Sequence, residues 1–122
     1  MNALVTGVSG FIAPHIVKAC LSKGWNTIGV DIIDCDISHP AFQFWKRDVR
    51  DLTLDEMKDI DYVFHLAFVT NIPNSVEHPL DTTKDNIDMT AYFLDLSTKA
   101  EVKKFIYPST ASLYGDTPPP WR

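Results

Sequence analysis

The sequence is short of cysteine, of basic clusters and of long apolar runs. Its 122 residues hold only Cys20 and Cys35, which make neither a disulfide framework nor a metal motif. Cys20 falls on the apolar side of an expected helix, where core packing accounts for it. His15, His39, His65 and His78 are scattered, with no pair spaced to share an ion, so no metal site is expected. The net charge is −5 and no Lys/Arg cluster is interleaved with aromatics. That balance excludes broad phosphate-backbone contact, and with it a nucleic-acid partner. No apolar run reaches the length of a membrane span. Nor is the start a basic segment followed by a secretory apolar stretch. The expectation is a reduced, cytoplasmic protein with no membrane partner.

What the sequence does have is alternation. "NALVTG" reads as a buried strand ending at Gly7. Residues 11 to 23 then place Ile12, Ile16, Ala19 and Cys20 on one helical stripe, ended by Gly24. "WNTIGVD" is a second strand closing at Asp31, and "AFQFWKRDV" a third, followed by a short helix around residues 53 to 58. "DYVFHLA" is apolar almost throughout, as expected of a strand with helices on both sheet faces. A long helix is expected from about Pro79 to Ala100, with Ile87, Ala91 and Leu94 along one side, before a fifth strand in "KKFIYPS". Such alternation with short connections gives a Rossmann-type doubly wound parallel sheet of about five strands. The irregular stretches at 32 to 41 and 68 to 79 are then candidate binding walls, because ligands sit beyond the carboxyl ends of such strands.

"TGVSGFIA" lies between the first strand and the first helix. Gly7 permits the tight turn, Gly10 lets the backbone approach a pyrophosphate, and Ala13 lets the helix pack close to the sheet. Free N–H groups from Ser9 through Phe11 and Ile12, at the helix start, then face the phosphates. The spacing G-x-x-G-x-x-A departs from G-x-G-x-x-G, but its position after a strand and before a helix is the context the motif requires. Pro14 fits within the helix only if the helix begins near Gly10. Asp31 closes the second strand about 20 residues later, where a carboxylate accepts hydrogen bonds from an adenosine ribose. Its charge repels a 2′-phosphate, and neither neighbouring loop offers an evident Arg clamp, so NAD is favoured over NADP.

Taken in order, "TGVSGFIA", Asp31, "RDVRD", "HLA", "PNSVEHP", Asn86 and "YPSTASLYG" resemble the extended short-chain dehydrogenase/reductases. Within that group the chain is similar to the NAD-dependent epimerase/dehydratases acting on nucleotide sugars, over residues 2 to about 116. The resemblance implies that Asp48 and Val49 meet the adenine and that Leu66 and Ala67 line the cofactor. It makes Asn86 a structural or cofactor-side polar residue and sets Ser109 beside the nicotinamide. Thr110 takes the place of the hydroxyl that bonds the sugar's reacting oxygen, the one catalytic position matched. Thr70 stands where many epimerases have a lysine. Local roles compete with these: Asp48 also suits a helix cap, Ser109 and Thr110 suit a turn, and His65 reads as a core histidine.

The resemblance further implies a tyrosine base four residues before a lysine. Tyr62, Tyr92, Tyr107 and Tyr114 are followed at that spacing by Leu66, Leu96, Ala111 and Pro118. The base is therefore absent from these residues, and a sixth strand beside the fifth is absent too. The chain reads as one N-terminal NAD-binding domain, residues 1–122, without its substrate domain and inactive alone. An unpaired fifth-strand edge further leads us to expect poor solubility, self-association or a complementing C-terminal half. A non-catalytic NAD(H)-binding module and one half of a split enzyme are the alternatives.

Overall fold

The computed structural model describes residues 1–116 and Pro118. Its strands are β1 Asn2–Thr6, β2 Asn26–Asp31, β3 Phe42–Lys46, β4 Tyr62–His65 and β5 Lys104–Ile106. They form one sheet in the order β3-β2-β1-β4-β5, with every pairing parallel. The helices are α1 Ala13–Ser22, α2 Leu54–Met57, α3 Ile72–Glu77, α4 Pro79–Thr83 and α5 Met89–Lys99. A π-helical turn, Lys84–Asp88, joins α4 to α5. This is the expected doubly wound α/β arrangement.

Strand alternation splits the core in two. Leu4, Val30 and Val63 pack on one face with Leu52, Met57, Met89, Phe93 and Leu96 from the α2 and α5 side. Val5 and Val8 pack on the other face with Ala13 and Val17 of α1. α2 is set by a capping box, in which Thr53 and Glu56 satisfy each other's orphan backbone groups. β1 lies at the centre of the sheet, so its carboxyl end stands between those of β2 and β4. The loops that leave these three strands share one rim.

Several local expectations change. α1 begins at Ala13 rather than near Gly10, and Pro14 sits in its first turn, where the missing N–H costs nothing. Its buried stripe is Ala13, Val17 and Cys20, while Ile12 is 54% exposed. The long helix forms but buries Met89, Phe93, Leu96 and Ser97, leaving Ile87 and Leu94 exposed. That helix has apolar residues on more than one side, and periodicity alone does not say which side meets the sheet. The stretch 68 to 79 is not wholly irregular. It contains α3, started by Asn71, whose side chain accepts the Asn74 N–H, and by Pro73 in its first turn. Pro119 and Pro120 of the closing proline run lie outside the described residues.

Candidate functional site

A cleft of about 410 Å³ opens along the carboxyl rim of β1, β2 and β4, within the range of small-molecule sites. Its floor is the glycine turn. Gly7 donates its N–H to the Val30 carbonyl at 2.9 Å, and Gly10 donates to the Gly7 carbonyl at 3.0 Å. Gly7 has a φ of +71°, and a Cβ there would stand 2.8 Å from the Leu66 carbonyl group. Only glycine meets both the left-handed backbone and the close approach of the β4 loop. At Gly10 a Cβ would stand 3.1 Å from the Gly7 oxygen. Beyond the turn, α1 starts with no side-chain cap. Pro14 carries no N–H and His15 donates its own to the Ile12 carbonyl at 3.1 Å, so the N–H groups just before Pro14 and the positive end of the dipole are left to whatever lies above them.

Asp31 closes β2 with both oxygens oriented by backbone. Oδ2 accepts the Ser9 N–H at 2.9 Å and Oδ1 accepts the Ile33 N–H at 3.1 Å. The Ser9 hydroxyl is 3.0 Å from both the Ile33 and Asp34 carbonyls, latching the glycine turn to the loop after β2. Each carboxylate oxygen has a remaining lone pair at the cleft rim.

The opposite wall is charged. Asp48 accepts from Arg50 at Oδ1 through its N–H (2.8 Å) and Nε (2.9 Å), and at Oδ2 from the guanidinium (2.7 Å). The hydrogen bonds from Arg50 hold the Asp48 carboxyl below its ordinary range. Arg50 reaches on to Asp85 at 3.3 Å, joining the β3 side of the cleft to the π turn. Asp48 is thus a cap, as its position before the 3₁₀ turn Val49–Asp51 suggested, and it also lines the cleft. Arg47 lines the same wall beside Asp31, with its guanidinium 4.6 Å from the centre of the Trp45 ring and 2.7 Å from Glu56.

The third wall is the loop leaving β4. Leu66 and Ala67 donate their N–H groups to Thr6 Oγ1 at 3.0 and 3.1 Å. Val69 is gripped by Asn86, which accepts its N–H at 2.8 Å and donates to its carbonyl at 2.9 Å. Of the two roles open to Asn86, the side chain takes the structural one. His65 is fully buried, and burial lowers its pKa to about 4. It is a neutral core histidine, as expected.

The structure therefore brings Ser9, Gly10, Asp31, Asp48, Val49, Leu66 and Ala67 together around one cleft. Gly7 shapes it from beneath, while Phe11 is 90% exposed beside it and Ile12 precedes α1. Ser109 and Thr110 are exposed and do not line it. Thr110 caps the 3₁₀ turn Ala111–Tyr114 by accepting the Ser112 N–H at 3.2 Å. Arg50 and Asp85 were not anticipated. Their only sequence signal is proximity to Asp48 and Asn86, because a contact 35 positions apart leaves no local period. Among the described residues no group of three or more His, Cys, Asp or Glu is placed to hold a metal. No helix among them is long and apolar enough to cross a membrane.

The model of the NAD-dependent epimerase/dehydratase family matches residues 3–122. The chain belongs to that family. It is 32% identical to a putative UDP-glucose 4-epimerase of Methanocaldococcus jannaschii over 120 residues, covering 93% of this chain and 39% of the relative. The UDP-N-acetylglucosamine 4-epimerase of Methanobrevibacter ruminantium M1, solved with UDP-N-acetylmuramic acid, superposes with a TM-score of 0.87 at 32% identity. That match covers 99% of this chain and 42% of the other. UDP-glucose 4-epimerase from Bifidobacterium longum, solved with NAD+ and UDP, gives 0.76 at 32% identity, covering 94% and 38%. The chain thus spans about two-fifths of these relatives, and NAD is the cofactor of the family.

Proposed function

We propose that this chain is the NAD-binding portion of a nucleotide-sugar epimerase/dehydratase and that NAD occupies the rim cleft. The observation that carries the reading is the cradle itself. A glycine that tolerates no Cβ, an uncapped helix start and a backbone-pinned carboxylate stand in the order a dinucleotide requires. Gly7, Ser9 and Gly10, whose own N–H groups tie the turn together, would shape the cradle, and the N–H groups of Phe11 and Ile12 would hold the pyrophosphate. Asp31 would accept from the ribose hydroxyls, and Asp48 and Val49 would flank the adenine. Leu66 and Ala67, with Asn86 behind them, would wall the inner part of the cofactor. Ser109 and Thr110 would face the nicotinamide and sugar once the segment after β5 is seated over the cleft. Bound NAD supplies a hydride acceptor and donor for a sugar carbon.

Titrating NAD against the purified chain by calorimetry tests this. Saturable binding is expected, tighter than for NADP, and Asp31→Ala weakens it by about tenfold or more, the worth of a hydrogen bond to a charged acceptor. Absence of saturable NAD binding overturns the reading.

These residues hold no Tyr-x-x-x-Lys, so the same reading expects no turnover of a UDP-sugar by this chain alone; measurable turnover would refute that part. A second reading, one half of a two-chain enzyme, is favoured by the apolar side chains left outside the core. Ile72, Val76 and Leu80 are each about three-quarters exposed, and Ile106 on edge strand β5 is 42% exposed. Self-association or a complementing half would cover them. Sedimentation of the chain, alone and with a candidate partner, separates these from a monomeric NAD(H)-binding module.

A further inference from the structure

Thr6 ends β1 and His65 ends β4, and the two are register partners. Both are fully buried. Thr6 Oγ1 lies 2.8 Å from His65 Nδ1, and the proton inventory fixes the direction of that bond. The two N–H groups of Leu66 and Ala67 fill both acceptor positions of the Thr6 hydroxyl. Its single proton is left for His65 Nδ1, which must then be unprotonated. The neutral ring carries its proton on Nε2, 3.0 Å from Thr90 Oγ1. Thr90 passes its own proton one turn back, to the Asn86 carbonyl at 2.5 Å. The rings of Phe68, Phe93 and Phe105 surround the imidazole, with centroids 4.9, 5.3 and 5.8 Å away.

Every hydrogen bond in this sequence points the same way, from the β4 loop through two strand ends into the π turn. There it meets the residue whose side chain grips Val69. The wall of the cleft is thus held at Leu66–Ala67 by one end of the series and at Val69 by the other. We infer that Thr6, His65, Thr90 and Asn86 form one directional relay that sets the position of the Leu66–Val69 wall, with His65 as a positioning residue for cofactor binding. The role in binding rests on the NAD reading above; the proton order within the relay does not.

Two measurements on the full chain test it. Long-range proton–nitrogen correlation on histidine-labelled protein at neutral pH is expected to show His65 as the Nε2–H tautomer. An Nδ1–H tautomer or an imidazolium overturns the relay without any variant being made. Thr90→Val, which removes both acceptor and donor, is expected to speed amide exchange at Leu66, Ala67 and Val69 and to weaken NAD binding by about tenfold. Thr90→Ser, which keeps both, is expected to stay within about twofold of the parent. Equal NAD affinity in folded Thr90→Val overturns the positioning role. If the parent chain binds no NAD, the functional reading fails on its own, and unchanged exchange rates at the three amides would still overturn the relay.

Discussion

The two faces of the sheet are built from the same strands and finished differently. On the face toward α2 and α5, Leu4, Val63 and Phe93 are fully buried, and Phe93 meets His65 and Phe105 edge-on at 5.3 and 5.4 Å. On the face toward α1, Val5 and Val17 are sealed, but Phe64 is only partly buried and Ile106 is 42% exposed. α1 covers the centre of that face, and none of the other described helices packs into its buried cluster. The closed face anchors the strands, and the cleft rim inherits its rigidity from them. The half-covered face contributes less to stability and offers surface. The difference teaches where to look for folding energy and where to look for contact.

Truncating one side chain on each face tests this most strongly. Phe93→Ala should cost about 3–5 kcal/mol, the range for an aromatic removed from a filled core. Ile106→Ala should cost less than about 1 kcal/mol, since its transfer from water is incomplete. Urea unfolding of the two variants measures the difference. Equal losses would mean that the faces are equally packed and that the comparison is wrong.

Acid sharpens it next. His65 sits at the edge of the closed face, and burial holds its pKa at about 4 rather than 6.5. Between those values the unfolded chain binds a proton that the folded chain does not, so stability falls as pH is lowered from 6.5 toward 4. The full effect is about 3 kcal/mol, and it is complete once the folded state also titrates. Its neighbours are Thr6, Thr90 and the rings of Phe68, Phe93 and Phe105, with no charged group among these contacts. Asp48, Glu56 and Asp61 are held low by hydrogen bonds from Arg50, Arg47 and Lys103, so their contributions disappear only at more acid pH. Stability measured from pH 7 to 4.5 should therefore slope in the parent and flatten in His65→Asn. A flat parent profile refutes the buried neutral ring.

The strands of the sheet and the glycine cradle were the legible parts of this chain. Strand runs such as "NALVT" carry a continuous apolar signal, and the Gly7, Gly10 and Asp31 spacing carries a chemical one. Asp31 stands where that spacing placed it, tied back to the turn through Ser9. What escaped were features set by distant pairing. The Arg50–Asp85 bridge and the Asn86–Val69 grip join segments with no common period. Thr110 matched a family position, yet its local turn, not the cleft, holds its hydroxyl. The capping role of Asp48 was legible because it is local, two residues from its donor.

The helical run from the π turn into α5 offers the finest test, because it carries both outcomes within a few residues. Met89, Phe93 and Leu96 are buried against the sheet, whereas Ile87 and Leu94, an equally regular apolar series, are 64% and 46% exposed. Sequence spacing favoured the second series, and nothing local separates the two. Tertiary context does: Met89 is 7% exposed and packs into the cluster with Leu4 and Val63, so Met89→Ser removes transferred surface and strands a hydroxyl there. Ile87→Ser exchanges one solvated side chain for another and should change stability by no more than about 0.5 kcal/mol. Should Ile87→Ser instead cost as much as Met89→Ser in urea unfolding, the exposed stripe is covered in solution. The outer side of this helical run, away from the sheet, would then be an interface rather than a surface.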